Sequence, residues 1–292
     1  MVVPTMKNEQ KLHIFTYATN AFQGMAGTLG ISAIKNGANS FRVFTPADLS
    51  KEFCERNSET LQMSRGAGYW VWKPFLIMNY TASYPDGELI LYSDAGALLR
   101  AEASNLIALV DDNKIHVWAM DGATIENWTD PKVLDKLKVN LASYKDPLIW
   151  SGGIVARNSR ILRDFAELWL SLCEEPALLR PDSFSKYEKP KGFIWHRHDQ
   201  SLLSIIVSEK PEWFVIHTSK QPNNWDSIFD LHRNPRIKAL IYFNSFPQIR
   251  ALRRMIVKKL PRKLSRILRL KLHSRNSKPV SREELNSVTE VF

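Results

Sequence analysis

The feature that most constrains this chain is the stretch Glu88-Leu89-Ile90-Leu91-Tyr92-Ser93-Asp94-Ala95-Gly96. Four apolar, strand-forming residues in succession leave no polar face, so a strand made of them is covered on both sides. That is the setting of a parallel sheet buried between helices. The run then stops at a carboxylate, a small residue and a glycine. In open α/β sheets ligands bind beyond the carboxyl ends of the strands, where Asp94 would meet a divalent metal or a sugar hydroxyl. Asp-x-Gly is equally ordinary turn chemistry, and Asp94 then only forms a turn or caps the next segment.

The chain around this stretch alternates in the same sense. Leu12 to Ala18 reads as a first strand, followed by a polar turn at Thr19 to Phe22. Met25, Leu29, Ala33 and Ile34 then fall at helical spacing, closed by Asn36-Gly37. Phe41 to Phe44 is a second strand, with a short helix from about Pro46. Strand, helix, strand at this pitch implies a parallel pair joined by a right-handed crossover. No Gly-x-Gly-x-x-Gly follows the first strand and no Gly-Lys-Ser/Thr loop occurs, so neither dinucleotide nor P-loop chemistry is expected. Pro74 suits the first turn of a helix through Phe75, Ile77, Met78 and Tyr80. Beyond Asp94 the chain predicts a helix over 101–111, a strand over 115–119 and a short helix from Pro131 to Leu137. Leu148 to Ser159 is a strand interrupted by Gly152 and Gly153, which marks a bulge or a ligand's close approach. Asn158 or Ser159 caps a helix from Ile161 to Leu172. A polar loop from Glu174 to Gly192 precedes a helix from Leu202 to Ser208. Trp213 to His217 reads as a late strand, and 223–234 is turn-rich.

Two further segments carry chemistry. In Arg65-Gly66-Ala67-Gly68-Tyr69-Trp70-Val71-Trp72-Lys73-Pro74, glycines that permit positive φ stand beside cations and indoles. That set suits an anionic ligand, or else a turn whose aromatics pack under the sheet. In Trp195-His196-Arg197-His198-Asp199-Gln200-Ser201, a carboxylate beside two histidines and an arginine is a catalytic candidate, or else a helix cap. The two histidines lack a third ligand at helical spacing, so they do not define a zinc site.

Charge and length set the outer bounds. The 292 residues, 44% hydrophobic and 11% aromatic, make one large α/β domain or two small ones. The nine tryptophans serve cores and sugar platforms alike. The net charge of +10 is wholly local: Gln248 to Lys278 holds twelve Lys or Arg and no acid, which leaves residues 1–247 neutral. Within that segment Ile249, Leu252, Ile256 and Leu260 form a helical stripe ringed by cations, the pattern of a helix that lies on an anionic membrane. No recognition motif accompanies it, so nucleic acid is not the expected partner. Two distant cysteines, Cys54 and Cys173, are expected to be reduced. The first residues are polar, and no apolar run reaches the ~18 residues of a membrane span.

Taken together, RGAGYWVWKP (65–74), LILYSDAG (89–96), WSGGIVARNS (150–159) and HDQSLLSII (198–206) resemble bacterial nucleotide-sugar-dependent glycosyltransferases of the GT-A fold. The likeness is to those that build capsule or lipopolysaccharide O-antigen chains, and it covers most of residues 12–235. It implies a Rossmann-like α/β domain over 1–247, with a mostly parallel sheet flanked by helices. Basic amphipathic helices over 248–278 and a flexible tail over 279–292 complete the expected chain. The resemblance places Thr16, Tyr17, Ala18 and Thr19 at the donor's base and ribose. It adds Arg65, Tyr69, Trp72, Lys73, Ser93, Asp94 and Ala95 to the donor side, with His232 and Arg233 at a late metal- or diphosphate-binding position. Trp150, Ser151, Gly152, Gly153 and His198 would line the acceptor side. Asp94 and Asp199 are the catalytic candidates.

One departure bears on the cofactor. The family's Asp-x-Asp supplies two carboxylates, and Ser93-Asp94-Ala95 supplies one. Asp94 and His232 would therefore be the ligands of a Mg²⁺ or Mn²⁺ ion, in a poorer octahedral site. Cations at Arg65, Lys73, His232 or Arg233 are the alternative means of stabilising a leaving diphosphate. The expected activity is transfer of a hexose-type sugar from a nucleotide-diphosphate donor to a saccharide, polyprenyl-linked, at the cytoplasmic face of the inner membrane. A degenerate nucleotide- or carbohydrate-binding protein is the alternative.

Overall fold

Alternate residues of the central strands enter two different cores. In β1 (Leu12–Tyr17), Leu12 and Ile14 join one apolar cluster, and Phe15 and Tyr17 the other. In β3 (Leu89–Ser93), Leu89 and Leu91 part from Ile90 and Tyr92 in the same way. The continuous apolar run thus keeps a period of two, with both faces covered. This computed structural model describes residues 10–110, 112–181 and 190–231. His232, Arg233, the expected helices of 248–278 and the tail 279–292 lie outside them.

The main sheet has six strands. β2 (Ser40–Phe44) lies at one edge, followed by β1, β3, β6 (Pro147–Arg157), β5 (Ile115–Thr124) and β7 (Phe214–His217). β1 pairs in parallel with β2 and β3, and β5 with β7, whereas β6 runs antiparallel to both β3 and β5. Five strands therefore share one direction. Their carboxyl ends gather at one edge of the sheet together with the amino end of β6. This is the mostly parallel, helix-flanked, Rossmann-like arrangement expected for the GT-A class.

Three helices cover the Phe15 face: Trp72–Thr81, Arg160–Cys173 and Asp199–Glu209. Gln23–Lys35 and Ala103–Leu109 cover the other. The Arg160–Cys173 helix begins where expected, with Ser159 Oγ accepting from Leu162 N at 3.3 Å. It buries Leu162, Phe165, Ala166, Trp169, Leu170 and Cys173, one continuous stripe. Each large side chain so buried contributes roughly 1.5–3 kcal/mol. Asn158 fastens this end of the sheet, its Nδ2 donating to the carbonyls of Thr81, Tyr84 and Pro85 at 2.9, 2.7 and 3.2 Å.

Several local expectations are corrected. Asp199 is the first residue inside its helix, with His198 at the N-cap, so Asp199 is no cap. The expected loop after Glu174 contains a helical turn, Pro176–Leu179, because Leu178 and Leu179 are buried. β5 continues to Thr124 through two register shifts. Gly152 and Gly153 keep register with β3, where Tyr92↔Ile154 and Ser93↔Gly153 pair, and the expected bulge lies on the β5 side, where the register shifts between His116↔Val155 and Trp118↔Trp150. The turn-rich stretch contains β8 (Phe229–Leu231), which pairs antiparallel with β4 (Ala97–Leu99). Strands of three residues are too short to show a period. Both cysteines are free. Among the described residues no helix is long and apolar enough to cross a membrane.

Candidate active site

At the carboxyl edge of the sheet, one ammonium holds two carboxylates. Lys73 Nζ lies 2.8 Å from Asp199 Oδ2 and 3.5 Å from Asp94 Oδ1, and donates to Ser151 O and Oγ at 3.1 Å each. Exposure separates the partners: the side chains of Lys73 and Asp199 are 1% and 4% accessible, that of Asp94 38%. Burial alone would lower the Lys73 pKa, but the two aspartates hold it above its ordinary value, so the ammonium persists. Burial pushes the Asp199 carboxyl up, and Lys73 offsets part of that. Tyr92 donates its hydroxyl to Asp94 Oδ1 at 2.5 Å, and burial, then Asp94, raises its own pKa far above 10. Asp94 Oδ2 has no hydrogen-bond partner among the described residues, its bonds being made through Oδ1.

The backbone at Asp94 does what turn chemistry predicts, its carbonyl accepting from Ala97 N at 3.0 Å. The side chain is free for another role, and Gly152 makes room for it. A Cβ at Gly152 would stand 2.6 Å from Asp94 Oδ2 and 2.5 Å from the Trp150 ring. The close approach read from the glycine pair is therefore made by the protein's own carboxylate. Phe229 of β8 packs edge-on against Trp150, with ring centroids 5.2 Å apart, and closes the site from that side.

Both members of the buried pair are delivered by strained backbone. From Gly66 to Trp70 every φ is positive: 58°, 49°, 96°, 51° and 62°. Tyr69 N and Trp70 N bond back to Arg65 O and Gly66 O at 2.8 and 3.3 Å, so this is one left-handed helical turn. Left-handed residues other than glycine cost roughly 1–2 kcal/mol each, and Ala67, Tyr69 and Trp70 are such residues. Compensation is visible: the Trp70 indole lies where a Gly66 Cβ would be, and Trp72 Nε1 donates to Gly66 O at 3.0 Å. The chain then reverts to the right-handed helix that carries Lys73. Likewise His198, with φ 55° and ψ −122°, immediately precedes Asp199. Its Nδ1–H donates to Leu179 O at 2.9 Å, which leaves Nε2 to accept from Arg65 Nε at 3.0 Å. The ring is neutral, its pKa lowered to about 4 by burial and then by Arg65 and Arg197.

The residues named from the sequence divide accordingly. Asp94, Lys73, Ser151 and Asp199 are brought together, with Gly152 against them. Trp72 stacks on Tyr17 at 3.9 Å, joining the end of β1 to the lysine helix. Thr16, Ala18, Ser93, Ala95 and Gly153 are buried, and the Thr16 hydroxyl finds no partner among the described residues. Thr19 remains half-buried at the edge. Arg65, Tyr69 and His198 form a separate group, with the Tyr69 and His198 rings 4.4 Å apart. The sequence reading missed Tyr92, whose hydroxyl fixes Asp94; a tyrosine two residues before a strand-end carboxylate was the available signal.

The metal expectation is narrowed. Asp94 Oδ1 already takes two donors, and Lys73 puts a positive charge where a divalent ion would bring another. Among the described residues no three His, Cys, Asp or Glu side chains gather as ligands. The described residues do not fit a divalent site by themselves.

No protein-family model and no curated protein matches the chain. Similar solved structures include a glycosyltransferase involved in the glycosylation of the major capsid of PBCV-1, at 12% identity and TM-score 0.42, covering 78% of this chain and 97% of that one. Another is the apo bifunctional glycosyltransferase WbbM, at 11% identity and TM-score 0.43, covering 73% of this chain and 40% of that one. A third is the galactosyltransferase LgtC in complex with donor and acceptor sugar analogues, at 13% identity and TM-score 0.40, covering 77% and 81%. At these identities, what the chain does has to be read from its own site.

Proposed function

We propose that this protein is a glycosyltransferase that moves a hexose-type sugar from a nucleotide-diphosphate donor to a saccharide acceptor in cell-surface polysaccharide synthesis. The observation that carries this reading is the Asp94–Lys73–Asp199 cluster at the carboxyl edge of the sheet, where an α/β fold places its ligand. Asp94 is the reachable carboxylate. Oriented by Tyr92 and Lys73, its Oδ2 is suited to accept from a sugar or ribose hydroxyl of the donor. Asp199 is too buried to take a proton from an acceptor, so it serves as a positioning residue that fixes Lys73. Lys73 in turn offsets the charge of the two carboxylates, which unscreened would repel a negatively charged donor. No step is assigned to a metal.

The test is a thermal-shift panel of nucleoside diphosphates and nucleotide sugars, because a ligand of the native state raises the melting temperature by mass action. One nucleotide should stand out, and Asp94→Asn should lower transfer by about a hundredfold or more with the melting temperature nearly unchanged. Full activity of Asp94→Asn would remove the residue from the site.

The single carboxylate also favours a second reading, nucleotide or sugar binding without turnover. Nucleotide release from donor sugars, with acceptor extracts added, separates the two. The expected membrane partner belongs to this proposal as well: residues 248–278 would hold the enzyme on anionic lipid at the cytoplasmic face, near a polyprenyl-linked acceptor. Liposome flotation that persists after deletion of 248–278 would refute that part.

A further inference from the structure

We infer that Arg65 and Arg197, with the open face of Trp195 beside them, form a second anion site that takes a phosphoryl group of the acceptor. Its assignment to the acceptor rests on the transferase reading above; the anion site itself does not.

The first ground is charge left unanswered. Of the seven other described arginines six meet acids, Arg42 with Asp48, Arg56 with Glu174, Arg100 with Asp230, Arg160 with Asp164, Arg163 with Asp86 and Arg180 with Glu59, and Arg157 donates to Gly87 O and Gln10 Oε1. Arg65 and Arg197 meet none among the described residues. Arg65 spends only Nε, on His198, and its two terminal nitrogens make no hydrogen bond there. The guanidinium of Arg197 lies 4.3 Å over the Trp128 ring, and its buried Nε has no partner. The two cations stand near enough that Arg65, after burial, lowers the Arg197 pKa. His198 lies in contact with Arg65 and next to Arg197 in sequence, and it accepts from Arg65 instead of balancing it. Like charges brought near one another with no counter-ion among the described residues suit an anion. Two guanidiniums match a dianion, and their planar forks suit phosphoryl oxygens.

The second ground is position. Arg197 N donates to Trp128 O at 3.2 Å, and Trp128 ends the helical turn that comes after β5. In the sheet, β5 is separated from β1 by β3 and β6. Arg197 thus stands over the half of the sheet away from Tyr17 and the proposed nucleotide. Arg65 joins it through His198, the residue before Asp199, so the anion would meet the cluster from its Asp199 end and the donor from its Asp94 end.

The third ground is a surface for what carries the phosphoryl group. Trp195 is 45% exposed, with the Arg65 guanidinium 6.0 Å from its ring centre. An indole left open beside cations that have no acid partner among the described residues is a stacking face for a sugar ring or an apolar seat for a prenyl chain.

Isothermal titration of the full chain with inorganic pyrophosphate, in the presence of excess uridine, guanosine and cytidine diphosphates, tests this. One site is expected, weakened about tenfold or more in Arg65→Gln and in Arg197→Gln. Arg197→Lys, which keeps charge and loses the fork, should weaken it less, and Arg197→Gln should bind nucleoside diphosphate as before. Displacement of the pyrophosphate by a hexose phosphate assigns the group to the saccharide, and displacement by a short polyprenyl diphosphate assigns it to the lipid carrier. Displacement by neither would overturn the acceptor assignment. Pyrophosphate binding lost in the presence of nucleoside diphosphates, or indifferent to both glutamine variants in folded protein, would overturn the site. Arginine-dependent binding with no nucleoside diphosphate bound would instead overturn the donor reading and leave the anion site standing.

Discussion

The two sides of the site are built by different means. On the Asp94 side, β1 and β2 are joined by the regular helix Gln23–Lys35, and the carboxylate stands at the end of an ordinary buried strand. On the Asp199 side, the buried ion pair is presented by a left-handed turn, Gly66 to Trp70, and by a left-handed His198. The first half obeys local preference. The second opposes it and is held by contacts from elsewhere, such as Trp72 to Gly66 and His198 to Leu179. Strain of this sort persists only where its surroundings over-determine it, and it gathers at functional sites. Substitutions on the two sides should therefore have opposite consequences.

The largest effect is expected at the join. Lys73→Met leaves Asp199 buried with no counter-charge, at a loss of about 3–5 kcal/mol in urea unfolding. In that variant burial raises the Asp199 pKa without opposition. The carboxyl is then neutral in the fold at low pH and must ionise as pH rises, so the loss should be larger at pH 8 than at pH 4. Adding Asp199→Asn should restore more than half of it. A single variant within 1 kcal/mol of the parent would mean that the pair contributes little.

Next comes the strained turn. Gly68 has φ 96°, and a Cβ there would lie 3.0 Å from Leu61 Cα and 3.1 Å from Thr60 O, both backbone atoms. Gly68→Ala should lose about 1–3 kcal/mol, since neither the dihedral nor the neighbours can yield.

Acid should press hardest on the same side, although burial lowers the His13 pKa on β1 as well. Burial lowers the pKa of His196 to about 3 and those of His198 and His217 to about 4. The unfolded chain protonates these groups near 6.5, so between pH 6.5 and 4 it binds more protons than the fold does. Their contribution is whole above pH 6.5 and is lost as pH falls toward 4. Each accounts for about 1 kcal/mol per pH unit in that window. His217, whose Nε2 meets His116 Nδ1 at 2.9 Å, offers the cleaner test. His217→Gln should flatten the slope of urea midpoints between pH 6.5 and 5, and an unchanged slope would assign acid sensitivity elsewhere.

The same division explains what the sequence could tell. Leu12 to Tyr17, the helix behind it and Leu89 to Ser93 announce themselves because periodicity and burial agree over five residues or more. Asp94 was legible for that reason, since it stands where such a strand must end. The glycines of 65–74 signalled positive φ, but no local rule extends that conformation to Ala67, Tyr69 and Trp70, which are left-handed because packing makes them so. Nor could spacing show that Lys73 lies between two aspartates 21 and 126 positions away in the chain. The resemblance puts Lys73 on the donor side, and the structure buries its ammonium between the two carboxylates. The β4–β8 ribbon escaped notice because two three-residue strands carry no pattern.

The smallest effect sharpens the comparison from the regular side. Gly27 lies inside the helix Gln23–Lys35, and nothing lies within 4 Å of where its Cβ would be. Its backbone is right-handed, so alanine adopts it at no strain and removes freedom from the unfolded chain. Gly27→Ala should raise stability by roughly 0.5–1 kcal/mol, seen as a small rise in melting temperature. The same exchange at Gly68 should lower it. Opposite signs would show that one half of the site obeys local preference while the other is held against it. Stabilisation at both positions would mean that the turn before Lys73 relaxes in solution, and Lys73 would then owe its burial to the two aspartates alone.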